Sequence, residues 1–320
     1  MSNDNTMLKK LEITAQNLRS KIALLVEGDK RVTRAVHTII EKKIAVPVLV
    51  GKRAVIENEF SSKDLMQCEI ADTDELKEQF IEKYKNRIRN SHHYSENSTY
   101  IAAMLVETGY AAGAVGGADC PTADMARAAL KIVGTVKNSP MSGAFLMISE
   151  DKKIGCDGVF IFSDCAVMPR PTSYQLACIT NDAADLAKSI GIDPIAALLS
   201  YSTNLSAKGE EVDRIRDALK FLKTSKFTVD GEMQLDAAIV PKVAEKKYPE
   251  SSVAGNANIL IFPDLNSGNI GYKLAERIGK MKAIGPLFLG IKKPFNDLSR
   301  GCSSSDIVNL VAVTSVMSCH

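Results

Sequence analysis

Short apolar runs alternate with longer amphipathic stretches along most of this chain. The runs have the length and character of strands that are buried on both faces, and the stretches between them have the 3.6-residue periodicity of helices. This alternation predicts an α/β fold in which mostly parallel sheets carry helices on both sides. The apolar runs are residues 22–26, 46–50, 111–115, 143–148, 159–162, 195–199, 259–262 and 285–289.

The chain has 320 residues, which is more than one hydrophobic core usually organises, so two domains are expected. A polar, turn-rich stretch at residues 136–140 is a candidate boundary. Apolar residues make up 45% and charged residues 24% of the chain, as in ordinary globular proteins.

The charge pattern and the cysteines exclude several function classes. Lys and Arg number 40 against 38 Asp and Glu, so the net charge favours neither nucleic acid nor a membrane surface as a partner. The polar N-terminus has no signal-like apolar core, and no apolar run approaches the roughly 20 residues of a membrane span, so a cytoplasmic location is expected. Seven cysteines and four histidines show no metal-ligand spacing, and no bound metal is expected.

A polar loop that enters an apolar helix is the densest group of unusual residues. It reads Asp297-Leu-Ser-Arg-Gly-Cys-Ser-Ser-Ser-Asp306. A helix start attracts anions, and Arg300 would add a fixed positive charge, so the loop resembles an anion site. A serine cap that follows a simple turn explains the same residues equally well.

Two further segments carry polar residues beyond a predicted strand. The first, at residues 113–127, leads through glycines into a helix that contains Arg127, and such a turn can hold a phosphate or serve only as a turn and cap. The second, at residues 261–270, ends a strand at Pro263 and continues as turn formers. Ligands of open α/β sheets lie beyond the carboxyl ends of strands, where both segments are expected.

These segments together resemble the phosphate acetyltransferase (phosphotransacetylase) members of the phosphate acetyl/butyryltransferase family. The similar strings are Ile261-Phe-Pro-Asp-Leu-Asn-Ser-Gly-Asn-Ile270, Ala283-Ile-Gly-Pro286 and Lys293-Pro-Phe-Asn-Asp-Leu-Ser-Arg-Gly-Cys-Ser303. The resemblance implies two three-layer αβα domains with an active-site cleft between them. The first would comprise residues 1–138 plus 287–320, and the second, inserted domain residues 139–286.

The resemblance also implies an activity. The enzyme would be an acyltransferase that converts acetyl phosphate and coenzyme A to acetyl-coenzyme A and phosphate, by direct thiol attack in a ternary complex. It would be a homodimer with no tightly bound cofactor, and coenzyme A, acetyl phosphate and inorganic phosphate would be its small-molecule partners.

The resemblance assigns roles to individual residues. Asp306 would be the general base for the thiol, Ser299 would hydrogen-bond its sulfur, and Arg300 would contact the phosphate or the developing oxyanion. Arg127 would be a second phosphate-contacting arginine, and Arg277 would bind the nucleotide phosphates of coenzyme A.

Two assignments are less direct. A further substrate arginine falls on Arg87 or Arg89, and the sequence does not choose between them. Cys302 would line the coenzyme A site as a thiol rather than act as a nucleophile, because no histidine base is paired with it.

The sequence departs from the family pattern at two positions of the glycine segment. Cys120 stands where a histidine is frequent, and Ala128 stands where a proline is frequent. These departures leave open a preference for propionyl or butyryl phosphate and a catalytically degenerate relative. Decarboxylating metal-dependent dehydrogenases share a similar architecture, but they need clustered aspartates that this sequence lacks.

Overall fold

The computed structural model describes residues 6–319 and divides them into two compact units. Unit 1 joins the described residues up to Gly134 with those from Ile291 onward, and unit 2 is the intervening segment from Thr135 to Gly290.

The strands are β1 (Lys21–Leu25), β2 (Val46–Gly51), β3 (Glu69–Asp72), β4 (Gly113–Gly116), β5 (Ser142–Ile148), β6 (Val159–Ser163), β7 (Ile195–Leu199), β8 (Thr228–Met233), β9 (Ile259–Ile261), β10 (Lys282–Leu289) and β11 (Phe295–Asp297). The helices are α1 (Thr6–Leu18), α2 (Lys30–Glu41), α3 (Arg53–Glu59), α4 (Ser62–Leu65), α5 (Thr73–Tyr84), α6 (Ser91–Tyr94), α7 (Ser98–Thr108), α8 (Thr122–Ala128), α9 (Ser173–Ser189), α10 (Glu210–Phe221), α11 (Leu235–Ile239), α12 (Pro241–Lys247), α13 (Leu265–Arg277) and α14 (Ser304–Met317). A π-helical segment, Ala129–Val133, continues α8.

Within the described part of unit 1, one parallel sheet has the strand order β11-β4-β1-β2-β3. Helices cover both faces, as two glycines of β4 show. A Cβ on Gly113 would meet Thr314 of α14, whereas a Cβ on Gly116 would meet Met125 of α8. Residues three apart on a strand point to opposite faces, so α14 and α8 lie on opposite sides of this sheet.

Helix α2 illustrates how the sequence builds unit 1. Its buried residues recur at helical spacing along one face: Val32, Ala35, Val36, Ile39 and Ile40. The helix begins at an N-cap, Asp29, whose side chain accepts a hydrogen bond from the N–H of Arg31 at 2.8 Å. This cap determines where the chain turns after β1.

The described sheet of unit 2 has the order β10-β5-β6-β9-β7-β8. Strand β5 pairs antiparallel with β10 and β6, and the other pairs are parallel. One face is an apolar core around Phe145, Phe160 and Phe162. Tyr272 of α13 stacks on Phe145 with ring centroids 3.9 Å apart, which anchors that helix to the sheet.

The predicted α/β fold with mostly parallel sheets is confirmed. The helix predicted to contain Arg127 is α8, and it continues as a π-helical segment that ends with the Gly134 N–H donating to Ala129 O at 2.8 Å. The sequence pattern also missed β3, β8 and β11, which are not continuous apolar runs. Among residues 6–319, no helix combines the length and the apolar character that a bilayer span requires.

Candidate functional site

The carboxyl ends of three adjacent parallel strands form the candidate site in unit 1. The order β11-β4-β1 brings the loops that follow these strands to the same edge of the sheet. Those loops lead into α14, α8 and α2, so three helix starts meet where open α/β sheets bind ligands. The edge contains most of the predicted site residues.

A reciprocal cap holds Asp306 at the start of α14. Ser303 is the N-cap, and its hydroxyl accepts from the Asp306 N–H at 3.3 Å. Asp306 Oδ2 in turn accepts from the Ser303 N–H at 2.9 Å and from its hydroxyl at 2.7 Å. This capping box fixes the Asp306 carboxylate in the first turn of the helix, so the predicted serine cap, Ser303, directly holds the residue predicted to be the base.

The loop between β11 and α14 exposes Ser299 and Arg300. The Ser299 hydroxyl accepts from the Gly301 N–H at 3.3 Å, and the Ser299 carbonyl accepts from the Cys302 N–H at 2.9 Å. Within the described chain, the Arg300 guanidinium has no hydrogen-bond or ion-pair partner. An exposed guanidinium without a partner can bind an anion bidentately.

Cys302 follows directly but is buried, with 9% exposure. Burial raises the pKa of its thiol, so the reactive thiolate is disfavoured. Burial therefore argues against Cys302 as a nucleophile, and its place in the coenzyme A site stays a prediction.

The glycine segment positions Arg127 on α8. The guanidinium bonds to Asp124 one turn earlier at 2.5 Å, and the side chain is 49% exposed. Cys120, at the first departure from the family pattern, has a thiol whose pKa burial raises to about 12. Ala128, at the second, is fully buried. Ala128 is thus a packing position, whereas Cys120 is partly buried.

Asp297, at the end of β11, connects the two segments. Its Oδ2 accepts from the hydroxyl of Thr122 in α8 at 2.5 Å. The carboxyl is fully buried, and over the described residues its Oδ1 has no hydrogen-bond partner. Burial raises the pKa of Asp297 to about 7. From the sequence, Asp297 is predicted only as part of a turn, because its burial depends on tertiary packing.

Arg31, in the first turn of α2, is a second residue that sequence reasoning missed. It pairs with Asp29 at 2.5 Å and donates to the carbonyl oxygens of Arg300 at 2.7 Å and Cys302 at 2.9 Å. It also donates to Ala118 O in the glycine segment at 3.0 Å. No local signal reveals these contacts, because the partners lie up to 271 residues away.

Arg87 and Arg89, between which the sequence left a choice, have different surroundings. Arg87 donates to Ile132 O in the π-helical segment at 3.0 Å and approaches Glu107 at 3.5 Å. Arg89 is exposed, and the structure gives its side chain no partner between residues 6 and 319. Arg87 therefore braces the helix that carries Arg127, and Arg89 has its donors available.

Arg277 belongs to unit 2, where it is the last residue of α13. Its side chain is 73% exposed and lies 3.3 Å from Glu276. A cation at a helix C-terminus is favoured by the helix dipole, which accounts for its position without a ligand.

Comparison with known proteins agrees with these features. Residues 6–315 match the model of the family described as phosphate acetyl/butaryl transferase. A phosphate acetyltransferase of Clostridium acetobutylicum is 44% identical over 312 residues, with 92% of this chain and 94% of that protein covered.

Two solved structures are also similar. A phosphotransacetylase from Streptococcus pyogenes is 38% identical with a TM-score of 0.88, covering 100% of this chain and 99% of that one. The EutD phosphotransacetylase from Staphylococcus aureus is 35% identical with a TM-score of 0.85, covering 98% of each chain. With a family match over nearly the whole length and relatives at this identity, the chain belongs to the phosphate acetyl/butaryl transferase family.

Proposed function

We propose that this protein transfers an acetyl group between phosphate and the thiol of coenzyme A, in the reaction acetyl phosphate plus coenzyme A giving acetyl-coenzyme A plus phosphate. The proposal is carried by the Arg300 guanidinium, which is exposed beside Ser299, has no partner among the residues that the structure describes, and lies one short loop before the capped Asp306. The names of the relatives support the acetyl group as the one transferred.

In the proposed mechanism Asp306 removes the thiol proton. The thiolate sulfur attacks the carbonyl carbon of acetyl phosphate, and the bond between that carbon and the phosphate oxygen breaks. Phosphate leaves as an anion, and the proton on Asp306 passes to it or to solvent. A thiol of pKa near about 8.5 needs only modest help, and a positioned carboxylate typically contributes about 10²–10⁴-fold.

The arginines stabilise the negative charges of the reaction. Arg300 and Arg127 would neutralise the phosphate and the developing oxyanion, and Ser299 would donate to the sulfur. Arg89 is the better candidate for the additional substrate arginine, because the Arg87 guanidinium already serves Ile132 and Glu107. Arg277 would bind the nucleotide phosphates of coenzyme A.

We also propose that the reaction needs no metal and no tightly held cofactor, with coenzyme A acting only as a substrate. The protein works as a cytoplasmic homodimer, as its resemblance and its sequence predict.

Kinetics of Arg300→Ala test the proposal. The variant should lose about 10²–10⁴-fold in kcat with an unchanged thermal midpoint, as expected when an electrostatic stabiliser is removed. Arg170→Ala is the control, because Arg170 is also exposed but pairs with Glu210 and Glu211. Turnover of Arg300→Ala close to that of the control would remove Arg300 from the mechanism.

A further inference from the structure

Arg31 contacts two loops of unit 1 that lie outside its own helix. A guanidinium has five N–H donors. Nε and one N–H of Nη2 bind Asp29, at 2.9 and 2.5 Å to Oδ2. The remaining Nη2 donor binds Ala118 O, and the two donors of Nη1 bind Arg300 O and Cys302 O.

This arrangement leaves Arg31 no donor for a substrate. All five N–H groups have a partner, and the charge is neutralised by Asp29. Arg300 is the opposite case, since its guanidinium is exposed and without a partner within residues 6–319. The two arginines therefore have different tasks, although they are hydrogen-bonded to each other through the Arg300 carbonyl.

The loop that Arg31 holds has few other restraints. Ser299, Arg300 and Gly301 are all exposed, and the bonds within the loop run only from Gly301 and Cys302 back to Ser299. Fixing the carbonyls on both sides of Gly301 fixes the backbone from which the Ser299 and Arg300 side chains project. The bond to Ala118 ties the same guanidinium to the glycine segment that precedes α8.

We propose that Arg31 is a positioning residue that holds the 299–302 loop and the glycine segment in one geometry without touching substrate. This inference rests on the proposed acyl transfer, because it assigns Ser299 and Arg300 to the reaction. Lysine cannot replace the arginine, since an ammonium group has three N–H donors at one point and Arg31 donates to the carboxylate of Asp29 and to three separate carbonyl oxygens. Misplacement of a reacting group by about 1 Å can cost about 10²-fold in rate.

The test compares Arg31→Lys and Arg31→Ala with wild type in steady-state kinetics. Arg31→Lys should lose about 10–10²-fold in kcat, while both Michaelis constants stay within about threefold. The contacts to substrate persist in this variant, but the Ser299 and Arg300 side chains lose their precise orientation. Methylguanidine should restore part of the turnover of Arg31→Ala. Arg34→Lys, one turn further along α2 and exposed, is the matched control and should behave as wild type.

A second variant distinguishes a loss of loop positioning from a loss of folding. Asp29→Asn retains a good N-cap but weakens the pairing with Arg31, so it should shift kcat in the same direction by a smaller factor. If kcat of Arg31→Lys stayed within twofold of wild type, the positioning role would be wrong. A tenfold rise in the Michaelis constant for acetyl phosphate at constant kcat would instead make Arg31 a binding residue and equally overturn the proposal.

A readout that does not depend on turnover separates this proposal from the proposed function. Arg31 Nη1 lies 3.8 Å from the Cys302 sulfur. Cys302 is the last residue of the 299–302 loop and is buried. Iodoacetamide labelling of Cys302, read by peptide mass spectrometry, should be at least tenfold faster in Arg31→Lys than in wild type and in Arg34→Lys. Unchanged labelling would refute the loop-holding role. An inactive wild type with accelerated labelling in the variant would refute only the acyl transfer.

Discussion

Asp297 should make the stability of this protein fall as the pH rises from acid to neutral. Its pKa is 3.8 in an unperturbed carboxyl group and about 7 in the buried site at the end of β11. The folded protein therefore binds this proton more tightly than the unfolded chain does. The resulting stabilisation is complete below about pH 4 and is lost as the pH rises through about 7.

The size of the effect follows from the pKa change and the burial. At about 1.4 kcal/mol per pH unit, ionising Asp297 in the folded protein costs about 4 kcal/mol by pH 8. Solvent does not screen this charge, because the residue is fully buried. For a unit of 150–250 residues this corresponds to about 10 °C in the thermal midpoint.

The experiment compares Asp297→Asn with wild type by calorimetry at several pH values from 5 to 8. The amide cannot ionise, so the midpoint of the variant should fall by about 7 °C less than that of wild type over this range, in which about 3 of the 4 kcal/mol are lost. Asp185→Asn, an exposed carboxylate on α9, is the control and should follow wild type. Other groups that titrate in this range are common to both proteins; Asp182, whose pKa burial raises to about 6, is an example. Parallel curves for wild type and Asp297→Asn would therefore refute the role of Asp297.

Three further predictions concern catalysis and binding. Asp306→Asn should lower kcat by about 10²–10⁴-fold and regain part of the rate at high pH, where the thiol ionises unaided; a pH-independent deficit in the rate profile would contradict its role as base. Arg277→Ala should raise the Michaelis constant for coenzyme A more than it lowers kcat, and an effect confined to acetyl phosphate would exclude the assignment. Arg89→Ala should impair substrate kinetics at an unchanged thermal midpoint. Arg87→Ala should instead lower the midpoint, because it loses the hydrogen bond to Ile132 O. The reverse pattern in kinetics and calorimetry would exchange the roles assigned to the two arginines.

The fold was accessible from the sequence because burial on both faces leaves a local signature. Strands such as β2 and β7 are short apolar runs, and α2 repeats its apolar residues at helical spacing. Strand β11 has no such signature, since it comprises only Phe295, Asn296 and Asp297. Its pairing with β4 nevertheless brings the 299–302 loop to the site.

The candidate site likewise has features that a local sequence motif predicts and features that only the packing reveals. Ser303 and Asp306 were predicted near a helix start, because a cap is a local motif. The contacts of Arg31 and the burial of Asp297 could not be predicted, because they depend on loops that are distant in sequence. The choice between Arg87 and Arg89 likewise needed the packing of the π-helical segment, which no sequence pattern indicates.

The central claim is that this chain transfers acyl groups from phosphate to coenzyme A, and one rate measurement tests it most directly. The purified protein is given coenzyme A with acetyl, propionyl or butyryl phosphate in parallel, without added metal, and thioester formation is followed. We predict rapid, coenzyme A-dependent formation of acetyl-coenzyme A, with acetyl phosphate the preferred donor. Absence of thioester with all three donors would contradict the account and favour a catalytically degenerate relative.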